Sequence, residues 1–421
     1  MKKLIALLAC AAMLLSLLAG CGSGTEVEYY DSQADGAAED AQAPLDAEAE
    51  QTAAPEAPVA ADPDGGETEA YIMLGGTGYE TYDPETVVGV VAGTDVTWEE
   101  YFYWLNFYAN YYTQMAAARG TTLTSWDAVG ELSSQNSNAA ALTELTLYTI
   151  RQYHAVAEAA AKEGVELSEE DQARLEENIE RYSDADGDGV VTDEERTAFE
   201  DTLAAQYVDT DFAKYLDGVG LLSTHLFEKN FGENGEKCSD DIAAQYVEDK
   251  GILSAKHILL VTVDRSTRES LDDETIAQKR ETAETLQKEL AAVQDDKQAL
   301  IALFDEYMAE YSEDTGYAAN PNGYVFEPGQ MVTEFEEGVK ALDPNYGLSD
   351  VVESSYGYHI IMRQPVTADT VIGLNSSGED ITVRYAAAQE QFTAMLSAWT
   401  DSAQAQWNEG FDAPDMQAIF G

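Results

Sequence analysis

Between Lys3 and Arg119 this chain of 421 residues has neither lysine nor arginine. That gap decides where a fold can start. Over residues 21–70 the sequence is mostly Ala, Asp, Glu, Gly, Pro and Ser, with almost nothing to bury. Carboxylates without cations repel one another, and little apolar surface offsets the entropy of ordering. A disordered acidic tether is therefore expected over 21–70, with folded structure beginning near Thr86. The net charge of −58 argues against a nucleic-acid partner, because phosphates require a basic face. It favours solubility and attracts cations.

Three cysteines cannot staple such a chain, and they lack metal-site spacing. Stability must come from packed apolar surface. Lys2 and Lys3 precede an apolar run at 4–18 that is too short to span a bilayer comfortably. The run closes on Leu18-Ala19-Gly20-Cys21, which resembles the lipobox of bacterial lipoprotein signal peptides. The resemblance implies a signal peptide over 1–20 and a Cys21 that carries diacylglycerol on its sulfur. The other reading is an ordinary secretory signal with Cys21 incidental. Lipid chains add about 0.8 kcal/mol per buried methylene, so the expected location is the extracytoplasmic face of the cell membrane, lipid-anchored.

Val87-Val88-Gly89-Val90-Val91 reads as a strand and Ala92-Gly93-Thr94-Asp95 as a tight turn. Thr97-Trp98-Glu99-Glu100 matches a capping box opening a helix. That helix carries Trp98, Tyr101, Phe102, Trp104, Leu105, Phe107 and Tyr108, a stripe that reads as core or, in a chaperone cradle, as partly exposed surface. The order resembles the start of the N-terminal domain in the SurA and PrsA chaperones, and 71–250 is read as a helical domain of that kind. Helical periodicity follows at 138–163, 168–182, 193–217 and 239–249. A last helix is expected over 383–407, with Tyr385, Phe392, Met395, Leu396, Trp399 and Trp407. It lies in a segment, 368–421, that returns to pack on the N-terminal domain.

Residues 251–367 change character: strand, two helices, a Gly/Asn/Pro loop, short helix, strand, strand. Two of the chain's four histidines stand here in matching strand contexts. His257 lies in Ala255-Lys256-His257-Ile258-Leu259-Leu260, and His359 in Tyr356-Gly357-Tyr358-His359-Ile360-Ile361. Between them come Tyr311-Ser312-Glu313-Asp314-Thr315-Gly316 and a segment running from Phe326 through Met331 to Glu336. In order and spacing these resemble the parvulin family of peptidyl-prolyl isomerases. An X-Pro bond turns over a barrier of roughly 18–20 kcal/mol with no bond broken. Neither nucleophile nor cofactor is needed, only a surface that fits the twisted amide better than the planar one.

The resemblance implies roles. Met331 and Phe335, at i and i+4 on one helical face, form the proline-ring pocket. His257 and His359 pair at its floor, and Asp314 stands where the family has Cys or Asp, in a loop with little packing. Ser354 and Tyr356 fall on the neighbouring strand near the substrate. The family's Gly-Gly-x-Leu-Gly run is replaced by Asn320-Pro321-Asn322-Gly323-Tyr324-Val325-Phe326, with Tyr324 or Val325 standing in for the pocket leucine. Paired histidines also have a purely structural reading, as mutual hydrogen-bond partners in the sheet.

Residues 184–195 fit a twelve-position EF-hand loop. Asp184, Asp186 and Asp188 stand at positions 1, 3 and 5, and Gly189 at the sharp turn. Val190 offers its carbonyl at 7, and Glu195 is the bidentate ligand at 12. A structural Ca2+ is expected there; the alternative is an acidic turn between helices.

The expected fold is α+β: a helical SurA/PrsA-like chaperone domain with an inserted parvulin domain, itself a small antiparallel sheet flanked by helices. The expected function is peptidyl-prolyl isomerisation and chaperoning of secreted proteins. Its partners are unfolded or partly folded chains with X-Pro bonds. The alternative is an inactive parvulin-fold holdase or binding lipoprotein.

Overall fold

The computed structural model describes residues 78–420 apart from 206 and 376; the signal peptide 1–20, Cys21 and the tether 21–70 lie outside them. The described residues form two compact units. One comprises residues 78–229 and 392–420, the other Asn230–Gln391.

In the first unit, β1 (Val87–Val91) pairs antiparallel with β2 (Thr94–Thr97), Val91 opposite Thr94. Ala92 (φ 52°) and Gly93 (φ 81°) both take left-handed backbone, the turn whose twist matches that of paired strands. On the other side β1 pairs with β9 (Ala405–Trp407), Gly89 opposite Trp407. A Cβ on Gly89 would come within 2.5 Å of the Trp407 ring, so only glycine lets the indole lie there.

Helix α1 (Trp98–Ala118) begins on the Thr97 hydroxyl, which accepts the Glu100 N–H at 3.4 Å. The expected capping box is not closed. The Glu100 carboxylate is instead buried, 3.0 Å from His154 Nε2, because its face of the helix is covered and the buried imidazole needs a partner. Trp98, Tyr101, Phe102, Trp104, Leu105 and Tyr108 are buried, and Trp98, Tyr101 and Phe102 meet Phe411 and Phe420. The stripe is core, with Phe107 half-buried at its edge.

Helices α2 (Asn138–Glu163), α3 (Glu169–Ser183), α4 (Asp193–Ala204) and α5 (Thr210–Phe231) follow. The single helix expected over 193–217 is two. The chain turns after Ala204, where Tyr207 takes φ 62°, and Asp209 Oδ1 accepts the Phe212 N–H at 2.8 Å to open α5. A local cap overrides continuous periodicity there. The last helix, α10 (Val383–Ser402), also stops short of expectation. The Arg151 guanidinium donates to Thr400 O at 3.0 Å near its end, and Trp407 belongs to β9.

The second unit opens with α6 (Asp240–Lys250), which ends on Gly251 at φ 68°. Its sheet has the order β4-β3-β6-β5, with β3 (Leu253–Val261), β4 (Tyr324–Phe326), β5 (Val352–Ser354) and β6 (Gly357–Gln364), all antiparallel. On one face Ile258, Ile360 and Met362 pack with Leu286 and Leu290 of α7 (Asp273–Ala291) and Phe304 of α8 (Lys297–Tyr311). On the other, Ala255 and Ile361 pack with Phe335 and Val339 of α9 (Thr333–Lys340). Covered on both faces, β3 is buried throughout, including its polar Ser254, Lys256 and His257, and its sequence does not alternate. A hairpin, β7 (Val371–Leu374) with β8 (Asp380–Thr382), places Ile372 against Ala243 of α6. The architecture is thus mixed helix and small antiparallel sheet. No described helix is long and apolar enough to cross a membrane.

Candidate active site

The β3–β6 register sets Leu259 opposite His359 and His257 opposite Ile361. The two histidines are therefore diagonal neighbours on the face that α9 covers. Their Nδ1 atoms are 3.1 Å apart, and the rings lie within 12° of parallel. His257 Nε2 is 2.9 Å from Asp314 Oδ2. The Tyr324 hydroxyl donates to the same oxygen at 2.6 Å, and the Gly316 N–H donates to Oδ1 at 3.0 Å. At the other end Ser354 Oγ is 2.7 Å from His359 Nε2 and accepts the Tyr356 N–H at 3.1 Å.

These partners constrain where the protons of the pair lie. Burial alone raises the Asp314 carboxyl, but the hydrogen bond and charge of His257, with Tyr324 and Gly316, outweigh it and hold it down at about 2. An ionised Asp314 only accepts, so His257 donates from Nε2. One proton lies between the two Nδ1 atoms, and His359 Nε2 shares another with the Ser354 hydroxyl. Burial first, then neighbouring His257, push His359 down to about 3 against the pull of Asp314, so it stays neutral near pH 7. Burial and then Asp314 push the Tyr324 phenol up, keeping it a donor. The result is one hydrogen-bonded chain ending on the Asp314 carboxylate.

Phe335 sits edge-on to both imidazoles, its centroid 5.2 Å from His257 and 5.6 Å from His359. It is 3% exposed, a floor rather than a wall. Met331 packs half-buried against the same cluster but precedes α9, whose N-cap is Val332. The expected i, i+4 relation on one helix is therefore not what joins them. The Glu336 carboxylate does so, accepting the Gly329 and Met331 N–H groups at 2.7 and 3.0 Å and folding that turn onto the helix start.

Asp314 was expected to pack little. Its side chain is instead only 15% exposed, because three donors hold it. Tyr356 lies in the turn between β5 and β6 rather than on a strand. Its N–H serves Ser354, and its ring lies beneath the Arg268 guanidinium, 5.9 Å away. The turn is pressed against β3: Gly357 has φ 146°, and a Cβ there would stand 2.1 Å from Leu260 O. Of the residues expected at the site, the network joins His257, His359, Asp314 and Ser354, with Phe335 and Met331 beside it. The hydroxyl of Tyr324 and the carboxylate of Glu336 were not anticipated. Only the replacement of an expected leucine hinted at the first, and nothing local in the sequence signals the second.

In the first unit, the carboxylates of Asp184, Asp186 and Asp188 come within 4.8 Å of one another. Asp184 accepts the Gly187 and Gly189 N–H groups at 2.7 and 3.0 Å, and Val190 is exposed. Glu195 is not part of that carboxylate group and lies on backbone donors of the loop. Its Oε2 accepts the Thr192 N–H and hydroxyl at 3.0 and 2.8 Å, and its Oε1 accepts the Ala185 N–H at 3.1 Å, a capping box for α4.

Residues 257–364 match the rotamase family model described as the PPIC-type PPIASE domain. The chain thus carries a peptidyl-prolyl cis-trans isomerase domain of the parvulin type. Among curated proteins it is 34% identical over 172 residues to "Foldase protein PrsA" of Staphylococcus aureus (strain bovine RF122 / ET3-1), covering 40% of this chain and 47% of that one. It is 30% identical over 225 residues to "Foldase protein PrsA" of Halalkalibacterium halodurans, covering 52% and 56%. The chain spans about half the length of these relatives. Among solved structures, PrsA from Bacillus subtilis overlaps 76% of this chain and 91% of its own, at 19% identity and a TM-score of 0.21, an overlap too loose to bear on the fold.

Proposed function

We propose that the whole protein is a peptidyl-prolyl cis-trans isomerase and foldase for secreted proteins, acting on clients with X-Pro bonds. The observation that carries this is one ionised carboxylate held beside the His257–His359 imidazole pair over an aromatic floor. In this reading Met331 and Phe335 receive the proline ring and strip water from the amide. The twisted amide has lost resonance and is less polar than the planar one, so a low-polarity seat favours it. The Asp314 charge faces the turning amide. His257 and His359, held by Ser354 and the Tyr356 turn, keep that charge in place. The test is a proline-limited refolding reaction; a wild-type protein that leaves its slow phase unchanged defeats the reading.

A second reading, a binding-only domain, is favoured by the histidine pair itself, since all four ring nitrogens already have partners. A holdase suppresses aggregation without accelerating the slow phase, so the same experiment separates the two.

We further propose lipid anchoring through Cys21 at the extracytoplasmic face. Cys21→Ser is expected to release the protein from membranes or leave its precursor uncleaved. Fractionation and processing identical to wild type would rule the anchor out.

Ca2+ at the loop 184–195 belongs to the same proposal. Its hard oxygen donors suit the ion, with Asp184, Asp186, Asp188, the Val190 carbonyl and Glu195 as ligands. Glu195 must first exchange its Thr192 and Ala185 hydrogen bonds for the metal. Calcium is expected to raise the melting temperature, by the equivalent of about 2.7 kcal/mol at a hundredfold excess over the dissociation constant. Glu195→Gln should blunt that rise, and equal melting with calcium and with chelator would exclude the site.

A further inference from the structure

Ten residues after Asp314 a phenol stands at one of the two positions, 324 and 325, that the parvulin resemblance offers in place of the pocket leucine. Tyr324 is 9% exposed, and its hydroxyl shares Asp314 Oδ2 with His257 Nε2, at 2.6 and 2.9 Å. Gly316 lies in the short 3-10 turn Thr315–Ala318 and is not among the glycines with positive φ. Its backbone therefore does not require glycine. A Cβ there, however, would stand 2.2 Å from the Tyr324 hydroxyl. The missing side chain is room for the phenol.

We propose that Gly316 and Tyr324 form one positioning device, in which the phenol seated over Gly316 fixes the Asp314 carboxylate on the His257 Nε2–H. Tyr324 is then a positioning residue for isomerisation, which rests on the functional reading above. It acts through Asp314. The groups facing that carboxylate are His257 from β3, with His359 of β6 behind it, Tyr324 from β4 and the Gly316 N–H of its own turn. The adjacent Glu313 is turned to Lys279 of α7 and the Val261 N–H, and Lys256 pairs with Asp305 of α8. Asn320, buried beside the phenol and bonded to it, donates its amide to Gly316 O at 3.1 Å.

The experiment uses the full mature chain with histidine labelled in nitrogen-15. Four histidines keep that spectrum sparse. Tyr324→Phe is expected to lower kcat about tenfold, as for the loss of one hydrogen bond to a charged group, while KM is unchanged. The His257 Nε2 nitrogen-15 shift should move, a change that loss of stability alone does not produce in a folded sample, whereas exchange with water also speeds up when opening becomes easier. Gly316→Ala should have the same two effects, and almost none when added to Tyr324→Phe, since residues acting as one unit are non-additive.

Unchanged kcat and an unchanged His257 signal in Tyr324→Phe would overturn the proposal, even if melting fell. So would a Gly316→Ala effect that adds in full to Tyr324→Phe. Should the wild type fail to accelerate a proline-limited step, the isomerase reading falls with Tyr324's part in turnover. A His257 signal that still responds to Tyr324→Phe would then uphold the geometry of the device.

Discussion

Phe335→Ala is expected to lower the stability of the second unit by about 3–5 kcal/mol and to remove most of the proposed isomerisation. The ring is 3% exposed and touches both imidazoles and Phe326, so its loss leaves a cavity lined by polar rings. A domain stable by only about 5–15 kcal/mol survives this at low temperature and melts much earlier. Denaturant unfolding gives the first quantity and proline-limited refolding the second, both on one sample. Phe335→Leu keeps most of the volume and separates the effects, because it should recover stability more than rate. Full activity in a folded Phe335→Ala protein would remove this side chain from the site.

Asp314→Ala carries the second large effect. It strands three donors, the His257 Nε2–H, the Tyr324 hydroxyl and the Gly316 N–H, and a buried unsatisfied group costs about 1–3 kcal/mol. The melting temperature is expected to fall as well as the rate, contrary to what a loosely packed loop residue would do. Asp314→Asn removes the charge, keeps the shape and retains one acceptor oxygen. The expected pattern is isomerisation reduced more than tenfold, roughly 1.4 kcal/mol or more, in both variants, with a smaller stability loss in Asp314→Asn. An Asp314→Asn protein as fast as wild type would show that the negative charge has no part in turnover.

Much of this was legible in advance, because it depended on short-range pattern. The valine strand before Ala92-Gly93, the aromatic stripe from Trp98 to Tyr108 and the two histidine strands each follow from periodicity or turn chemistry within a few residues. The errors came where continuous periodicity met a local cap, as at Asp209, or where helical spacing was extended past a helix start, as at Met331. Helix ends depend on which backbone groups find side-chain partners, and periodicity does not report them.

By itself the sequence determined the residue types and their order: apolar strands bearing His257 and His359, a carboxylate at 314, an aromatic at 335 and three aspartates around Gly187 and Gly189. Only the tertiary structure decided how they meet. The antiparallel register of β3 and β6 turned two histidines 102 residues apart into a pair 3.1 Å apart, and the placement of β4 brought a phenol to Asp314 through the space over Gly316. It also turned Glu100 from a helix cap to a buried partner of His154, and Glu195 toward a helix N-terminus. Patterning is set by each residue's neighbours in the chain. Proton positions, charge and reach are set by neighbours in space, and those exist only once the sheet has closed.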